Sequence, residues 1–264
     1  MQDLTDKERQ ALITDDLIFL GYRGSIAHGM YIPGTDPDSI DDKDVMGVFL
    51  AAPSHYIGTI KQKDVREQWY NEWDCVHYEI LKLAGLLEKG NPNVLSLLWL
   101  EPHHVIHTST AWDELLAIRD AFSSKEVYHS FVGYANSQLH RMTHLAFDGY
   151  MGQKRKSLVQ KYGYDCKNAA HLVRLLRMGI EFLTEGILHV ERRNDAAQLL
   201  EIKLGQWSLE AVKKEAARLF ALCEEAYIHS PLPTLPDKER INAQCVRILT
   251  KHLLAVAYPG RVSM

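Results

Sequence analysis

The sequence predicts an α+β fold, with a small sheet and its helices over residues 1–110 and a helical half over 111–264. Three observations carry that expectation. Short apolar runs bounded by Gly, Pro and Asp alternate with helical periodicity up to about residue 110. Beyond Thr110 the texture changes to long amphipathic segments. Two punctuated loops, GYMGQKR at 149–155 and HSPLPTLPD at 229–237, separate some of these, and no internal repeat or low-complexity tract interrupts them.

Taken in order, LIFLGYRGS (17–25) reads as an apolar strand running into a Gly-Ser turn. Positions 27–41 hold Gly29, Pro33, Gly34 and Pro37 without apolar periodicity, which predicts a short helical turn and then an ordered loop. DVMGVFLA (44–51) is the second strand, and EWDCVHYEI (72–80) the third, with Trp73, Cys75 and His77 alternating with Asp74 and Val76. Ile80, Leu83, Ala84 and Leu87 fall at i, i+3, i+4 and i+7, a helix that Gly90 would stop. Asn91-Pro92 has the form of an N-cap and first helical position. Further helices are expected over 112–121, 125–147, 164–184, 208–228 and 237–258.

An apolar fraction of 46% and a charged fraction of 24% are those of an ordinary soluble globular chain. No apolar run approaches the ~20 residues of a membrane span. The start, MQDLTDKERQ, lacks the basic-then-apolar layout of a signal peptide, so the cytoplasm is the expected location. Cys75, Cys166, Cys223 and Cys245 are far apart and form no C-x-x-C pair, which predicts reduced, buried thiols. The histidines show no H-E-x-x-H spacing. The net charge of −4 does not point to nucleic acid, but its distribution is uneven. Five aspartates lie from Asp36 to Asp44, whereas 141–180 carries eight Lys/Arg against two Asp. That suits an anionic substrate held between metal ions and cations.

Within DDKDVMGVF (41–49), Asp42 and Asp44 are spaced i, i+2 at the entry to a strand, so both carboxylates can address one spot. Two carboxylates that close repel unless a cation joins them, and hard oxygen donors favour Mg²⁺ shared with a nucleotide's phosphates. Asp74, on the next strand, could supply a third carboxylate. Gly24-Ser25, between a strand and a helical turn, offers backbone N–H groups and a hydroxyl to a phosphate. Taken singly, a solvated acidic turn and a strand-edge charge account for the same residues.

In YGYDCKNAAHLVRLLRMG (162–179), the positions of Lys167, His171 and Arg174 put them on one helical face, with Leu172, Leu175 and Leu176 on the others. A solvated stripe is the alternative, but a helix packed on most sides would need an anion to meet its basic groups. Lys154, Arg155 and Lys156 read as a glycine-flanked loop open to a nucleic-acid backbone or to solvent. Tyr31, Tyr162 and Tyr164 lie near these motifs as packing or stacking groups.

The order of strand, Gly-Ser, helical turn, D-x-D strand and a further strand Asp resembles the nucleotidyltransferases of the DNA polymerase beta superfamily. GSIAHGMYIPGTDPDSIDDKDVMGVF, GNPNVLSLLW, KYGYDCKNAAHLVRLLRMGIEFL, GQWSLE and SPLPTLPDKERIN together resemble its predicted nucleotidyltransferases associated with an RNA repair pathway. The resemblance implies a polymerase-beta-like domain with a small mixed sheet, followed by a helical domain. It implies that Gly24 and Ser25 contact the β/γ-phosphates, that Asp42, Asp44 and Asp74 are catalytic ligands of two Mg²⁺ ions (Mn²⁺ as a substitute), and that Lys167, His171 and Arg174 face the nucleotide. Glu79 rivals Asp74 for the third carboxylate, while Asp36 and Asp38 belong to an apparent insertion. The implied reaction is transfer of an NMP from an NTP to an acceptor hydroxyl, with a tRNA-like or damaged RNA 3′ end as acceptor and no covalent enzyme intermediate. Nucleotidylation of a protein side chain or small molecule is the alternative, and a non-catalytic relative a third. The NTP used and the oligomeric state are not readable from the sequence.

Overall fold

Residues 3–36, 39, 41–144 and 153–257 are described by the structure, a computed structural model. Helix α1 (Asp6–Leu12) starts in a capping box between Thr5 and Glu8. Strand β1 (Leu17–Tyr22) is buried throughout and passes through Arg23 into the four-residue α2 (Gly24–Ala27). Then come β2 (Lys43–Phe49), α3 (Pro53–Ile57), β3 (Val65–Tyr70) and β4 (Trp73–Glu79), the last running straight into α4 (Ile80–Glu88). The Asn91 side chain caps α5 (Pro92–Leu95), which tightens into a 3₁₀ turn over Ser96–Trp99. A second 3₁₀ turn, Pro102–His104, leads into β5 (Val105–Thr108). The helices α6 (Thr110–Leu116), α7 (Glu126–His144), α8 (Gln153–Tyr162), α9 (Cys166–Glu185), α10 (Ala196–Lys203), α11 (Leu209–His229) and α12 (Lys238–Ala257) complete the chain.

The five strands form a mixed sheet in the order β3-β4-β2-β1-β5, with β2 and β4 parallel and the other pairs antiparallel. Strand alternation divides the apolar residues between two layers. Phe19, Met46 and Val48 join a large cluster that continues to Phe131 of α7, Leu172 and Leu176 of α9 and Val212 of α11. Leu20, Tyr22, Val45, Phe49, Trp73 and Cys75 form a smaller cluster with Leu12 of α1. The same alternation sorts the charges at the start of β2. Lys43 falls with the smaller layer, where it pairs with Glu72 and lies 5.3 Å from the centre of the Trp73 ring. Asp44 falls with Met46 and Val48, on the face that the helices cover.

Several elements had no clear sequence signal. β3, VREQWY, is a half-exposed edge strand whose charges mask its alternation. The short α1, α3, β5 and α10 fall below the length at which periodicity is readable. The helix expected over 112–121 is α6 followed by a separate 3₁₀ turn, Arg119–Phe122. The loop expected over 149–155 gives way to α8 at Gln153, so Arg155 and Lys156 are helical; the Lys154 side chain lies outside the described residues. All four cysteines are free and buried. Among the described residues, no helix is long and apolar enough to cross a membrane.

Candidate active site

Parallel pairing of β2 with β4 sets Asp44 directly opposite Asp74. Side chains at paired positions project to the same face of a sheet, so the two carboxylates are neighbours across about 4.8 Å of sheet. Asp42 sits just before the strand and is exposed. Burial raises the Asp44 carboxyl from 3.8 to about 6, opposed by Arg23 and reinforced by the charges of Asp42 and Asp74. Gly24 makes room for this carboxylate. A Cβ there would lie 2.3 Å from Asp44 Oδ2, and its φ of +61° is itself one that side chains disfavour. The Arg23 N–H donates to the Asp44 carbonyl at 3.1 Å, which locks the turn onto β2.

α9 supplies the opposite wall. Asp165 caps its start, accepting from the Asn168 N–H, and Arg155 of α8 donates to the same carboxylate at 3.0 Å. From this fixed end, Lys167 reaches Asp42 at 3.3 Å, joining the basic helix to the acidic strand entry. Arg174, about two turns further along the same face, is buried. Its guanidinium donates to His28 Nε2 at 2.6 Å and to the Met178 sulfur at 3.3 Å. His28 Nδ1 faces the Val190 carbonyl at 2.8 Å, an acceptor only, so Nδ1 carries the proton and Nε2 accepts from Arg174. Burial, then the charge of Arg174, holds His28 well below the usual histidine range and therefore neutral. His171 is held well below that range by burial, then by Arg174 and Lys167. Burial and the nearby Arg192 bring Arg174 itself down to about 9. A buried cation that is hydrogen-bonded to a neutral imidazole and a thioether is suited to an incoming anion.

Between the walls lies a cleft of about 940 Å³, within the range of small-molecule sites. Gly24, Ser25, Asp42, Asp44, Asp74, Lys167, His171 and Arg174 all line it. Arg23, His28, Asp41, Tyr134 and Lys203 also line it and were not anticipated. Asp41 was visible in the aspartate run, but its partner was not. Lys203, at the end of α10, pairs with Asp41 and donates to the Met30 carbonyl at 2.8 Å, with both charged groups buried. Asp41 also accepts from the Ile32 N–H at 2.8 Å.

Glu79 is elsewhere. It is 1% exposed at the far end of β4, where its carboxylate accepts from the Leu81 and Lys82 N–H groups at the start of α4 and from the Tyr56 hydroxyl. Glu79→Gln should therefore cost roughly 1–3 kcal/mol of stability and leave turnover intact. Asp74→Asn should remove turnover with little change in melting temperature, and the reverse pattern would overturn the assignment. Arg177 points away from the cleft, to Asp195, Gln198 and Glu215. Tyr164 is a packing group whose hydroxyl donates to the Trp207 carbonyl, and Tyr162 packs on Gly205. Tyr31 packs against the smaller core cluster. Asp36 is exposed, and Asp38 lies outside the described residues.

The donor set fits a hard divalent cation. Four carboxylates line the cleft; Lys203 holds Asp41, which leaves Asp42, Asp44 and Asp74, and burial, opposed by Arg23, raises the Asp44 carboxyl. Asp42 is turned toward Lys167, and would have to release it to join Asp44 and Asp74.

A model of the RNA repair pathway DNA polymerase beta family (RlaP) matches residues 1–247. No curated protein matches the chain. Among solved structures, a nucleotidyltransferase-like protein from Exiguobacterium sibiricum 255-15 is similar at 9% identity, with a TM-score of 0.27 over 83% of this chain and 71% of that one.

Proposed function

The chain belongs to the RNA repair pathway DNA polymerase beta family, and from that premise we propose that it transfers an NMP from an NTP to the 3′ hydroxyl of an RNA. The observation that carries the reading is the opposition of Asp44 and Asp74, paired in register, to the Lys167–His171–Arg174 face of α9 across one cleft. In this reading residues 1–110 hold the reacting oxygens and, through Gly24 and Ser25, meet the β/γ-phosphates, while residues 111–264 supply the cations that face the polyphosphate.

Asp42, Asp44 and Asp74 would hold divalent cations, Mg²⁺ by the hardness of the donors, which when bound supply charge neutralisation and a more acidic acceptor hydroxyl. Lys167, Arg174 and Lys203 orient the polyphosphate and offset charge on the departing pyrophosphate. Neutral His171 can hydrogen-bond the phosphates without adding charge. Asp74 accepts the proton of the attacking hydroxyl. The acceptor oxygen then bonds to the α-phosphorus as the bond to the bridging oxygen breaks, and pyrophosphate carries away the electron pair. Tyr134, at the cleft wall with Asn93, is the aromatic group placed to meet a base. An RNA acceptor is favoured by continuation of the cleft past Ser137 and Arg141 into a second depression of about 380 Å³ with Asn136 and His140.

The test offers each α-labelled NTP with Mg²⁺ to small RNA and, separately, to a protein extract, with Asp44→Asn alongside. Label in RNA that disappears in the variant is the expected result. Label in protein only would replace the RNA acceptor with a side chain, and label in neither would overturn the RNA assignment.

A further inference from the structure

Away from the cleft, three potential metal ligands converge from two distant segments. His103 and His104 sit on the 3₁₀ turn before β5, and Glu191 sits in the connection between α9 and α10. Among the described residues, this is the trio of His, Cys, Asp or Glu side chains whose donor atoms all lie within 4.8 Å of one another. None of the three lines the cleft. His103 Nε2 is already 3.7 Å from Glu191 Oε1. Donors bound at about 2.0–2.1 Å around a tetrahedral ion stand about 3.4 Å apart, so small rotations would close the set.

His104 gives the second, independent observation. It is 1% exposed, and neither ring nitrogen has a hydrogen-bond partner. Leaving a buried imidazole with both nitrogens unmet is costly, and such a group calls for an unseen partner. Its surroundings hold it in place: the ring lies tilted against His103 at 4.1 Å between centroids and meets the edge of Tyr22 at 6.3 Å. Glu191 is steadied by Arg193, whose Nε donates to Oε2 at 2.9 Å, leaving Oε1 toward His103.

We propose that His103, His104 and Glu191 form a divalent metal site of the zinc class, separate from the carboxylate cleft. Two imidazoles and one carboxylate are borderline donors that suit Zn²⁺ over Mg²⁺, with a remaining position for water. The ion would fasten the 102–104 turn to the loop that carries Val190 and Arg192. That loop is already tied to α2, through the Val190 carbonyl on the His28 ring and the Arg192 N–H on the His28 carbonyl. His28 in turn holds Arg174. The metal thus stiffens the support behind the anion wall without touching substrate.

Cobalt(II) is the probe, titrated into the chelator-treated full chain with excess Mg²⁺ to occupy hard-oxygen sites. The expected result is one equivalent bound with the visible absorbance of a low-coordinate nitrogen/oxygen site, displaced by Zn²⁺. Exposed His103→Ala and shape-conserving Glu191→Gln should each weaken binding by at least about 100-fold. Asp44→Asn should leave the spectrum unchanged. Zn²⁺ should raise the melting temperature of the parent chain and not that of Glu191→Gln. No cobalt spectrum, or a spectrum kept by both ligand variants, would overturn the site. So would one lost in Asp44→Asn, which would assign the ion to the carboxylate cleft.

Discussion

Asp44→Asn is expected to lower nucleotidyl transfer by on the order of 1,000-fold, while raising the melting temperature of the metal-free protein. Both effects have one cause. The native fold buries this carboxylate beside Asp42 and Asp74, and the raised value of about 6 against 3.8 corresponds to about 3 kcal/mol of stability lost at neutral pH. The sign follows from the direction of the shift. Because the folded-state value is raised, the protonated carboxyl is the one the fold prefers. The penalty is fully present above about pH 6, is relieved as the folded protein takes up its proton between 6 and 3.8, and is gone below 3.8. Asparagine is neutral at every pH and keeps the shape, so it should flatten this part of the profile and raise the melting point near pH 7.5 in chelator. A divalent cation should reverse the order, stabilising the parent chain and not the variant. Thermal melts at about pH 5 and 7.5, with and without Mg²⁺, measure all of this. Retained turnover, or a lower melting point of the variant in chelator near neutral pH, would remove Asp44 from the proposed role.

Arg174→Met should reduce kcat/KM for NTP by on the order of 100-fold with little change in stability. The guanidinium is buried, its hydrogen bonds go to neutral partners, and burial lowers it to about 9. Methionine fills a similar volume without the cost of an enclosed charge, and this gain is set against the His28 nitrogen left without a donor. Lysine should not restore activity, since a single ammonium cannot reproduce a planar fork that reaches His28 and a phosphate together. Nucleotide affinity should fall more than RNA affinity. The opposite split, or an unchanged kcat/KM, would place the anion site elsewhere on α9.

How much of this was legible beforehand depends on how far apart the interacting residues lie. Asp42, Asp44, Gly24 and Ser25 could be read from a stretch of about two dozen residues, because strand alternation and turn chemistry act locally. The Lys167–His171–Arg174 face was readable for the same reason, through helical spacing. β3 and α10 were not, the first because an edge strand carries charges on its open face, the second because eight residues give too short a pattern.

Sequence by itself therefore determined the order of elements around each motif and the chemistry each motif can offer. Tertiary structure alone decided which of Asp74 and Glu79 enters the cleft, through the parallel register of β2 and β4. It also supplied Lys203 to Asp41 across 162 positions, and His28 to Arg174 across 146. Contacts at such separations leave no periodicity in the chain. They arise when burial of the shared core fixes the relative position of sheet and helices, and only then does one buried charge meet its partner while another is left facing the cleft.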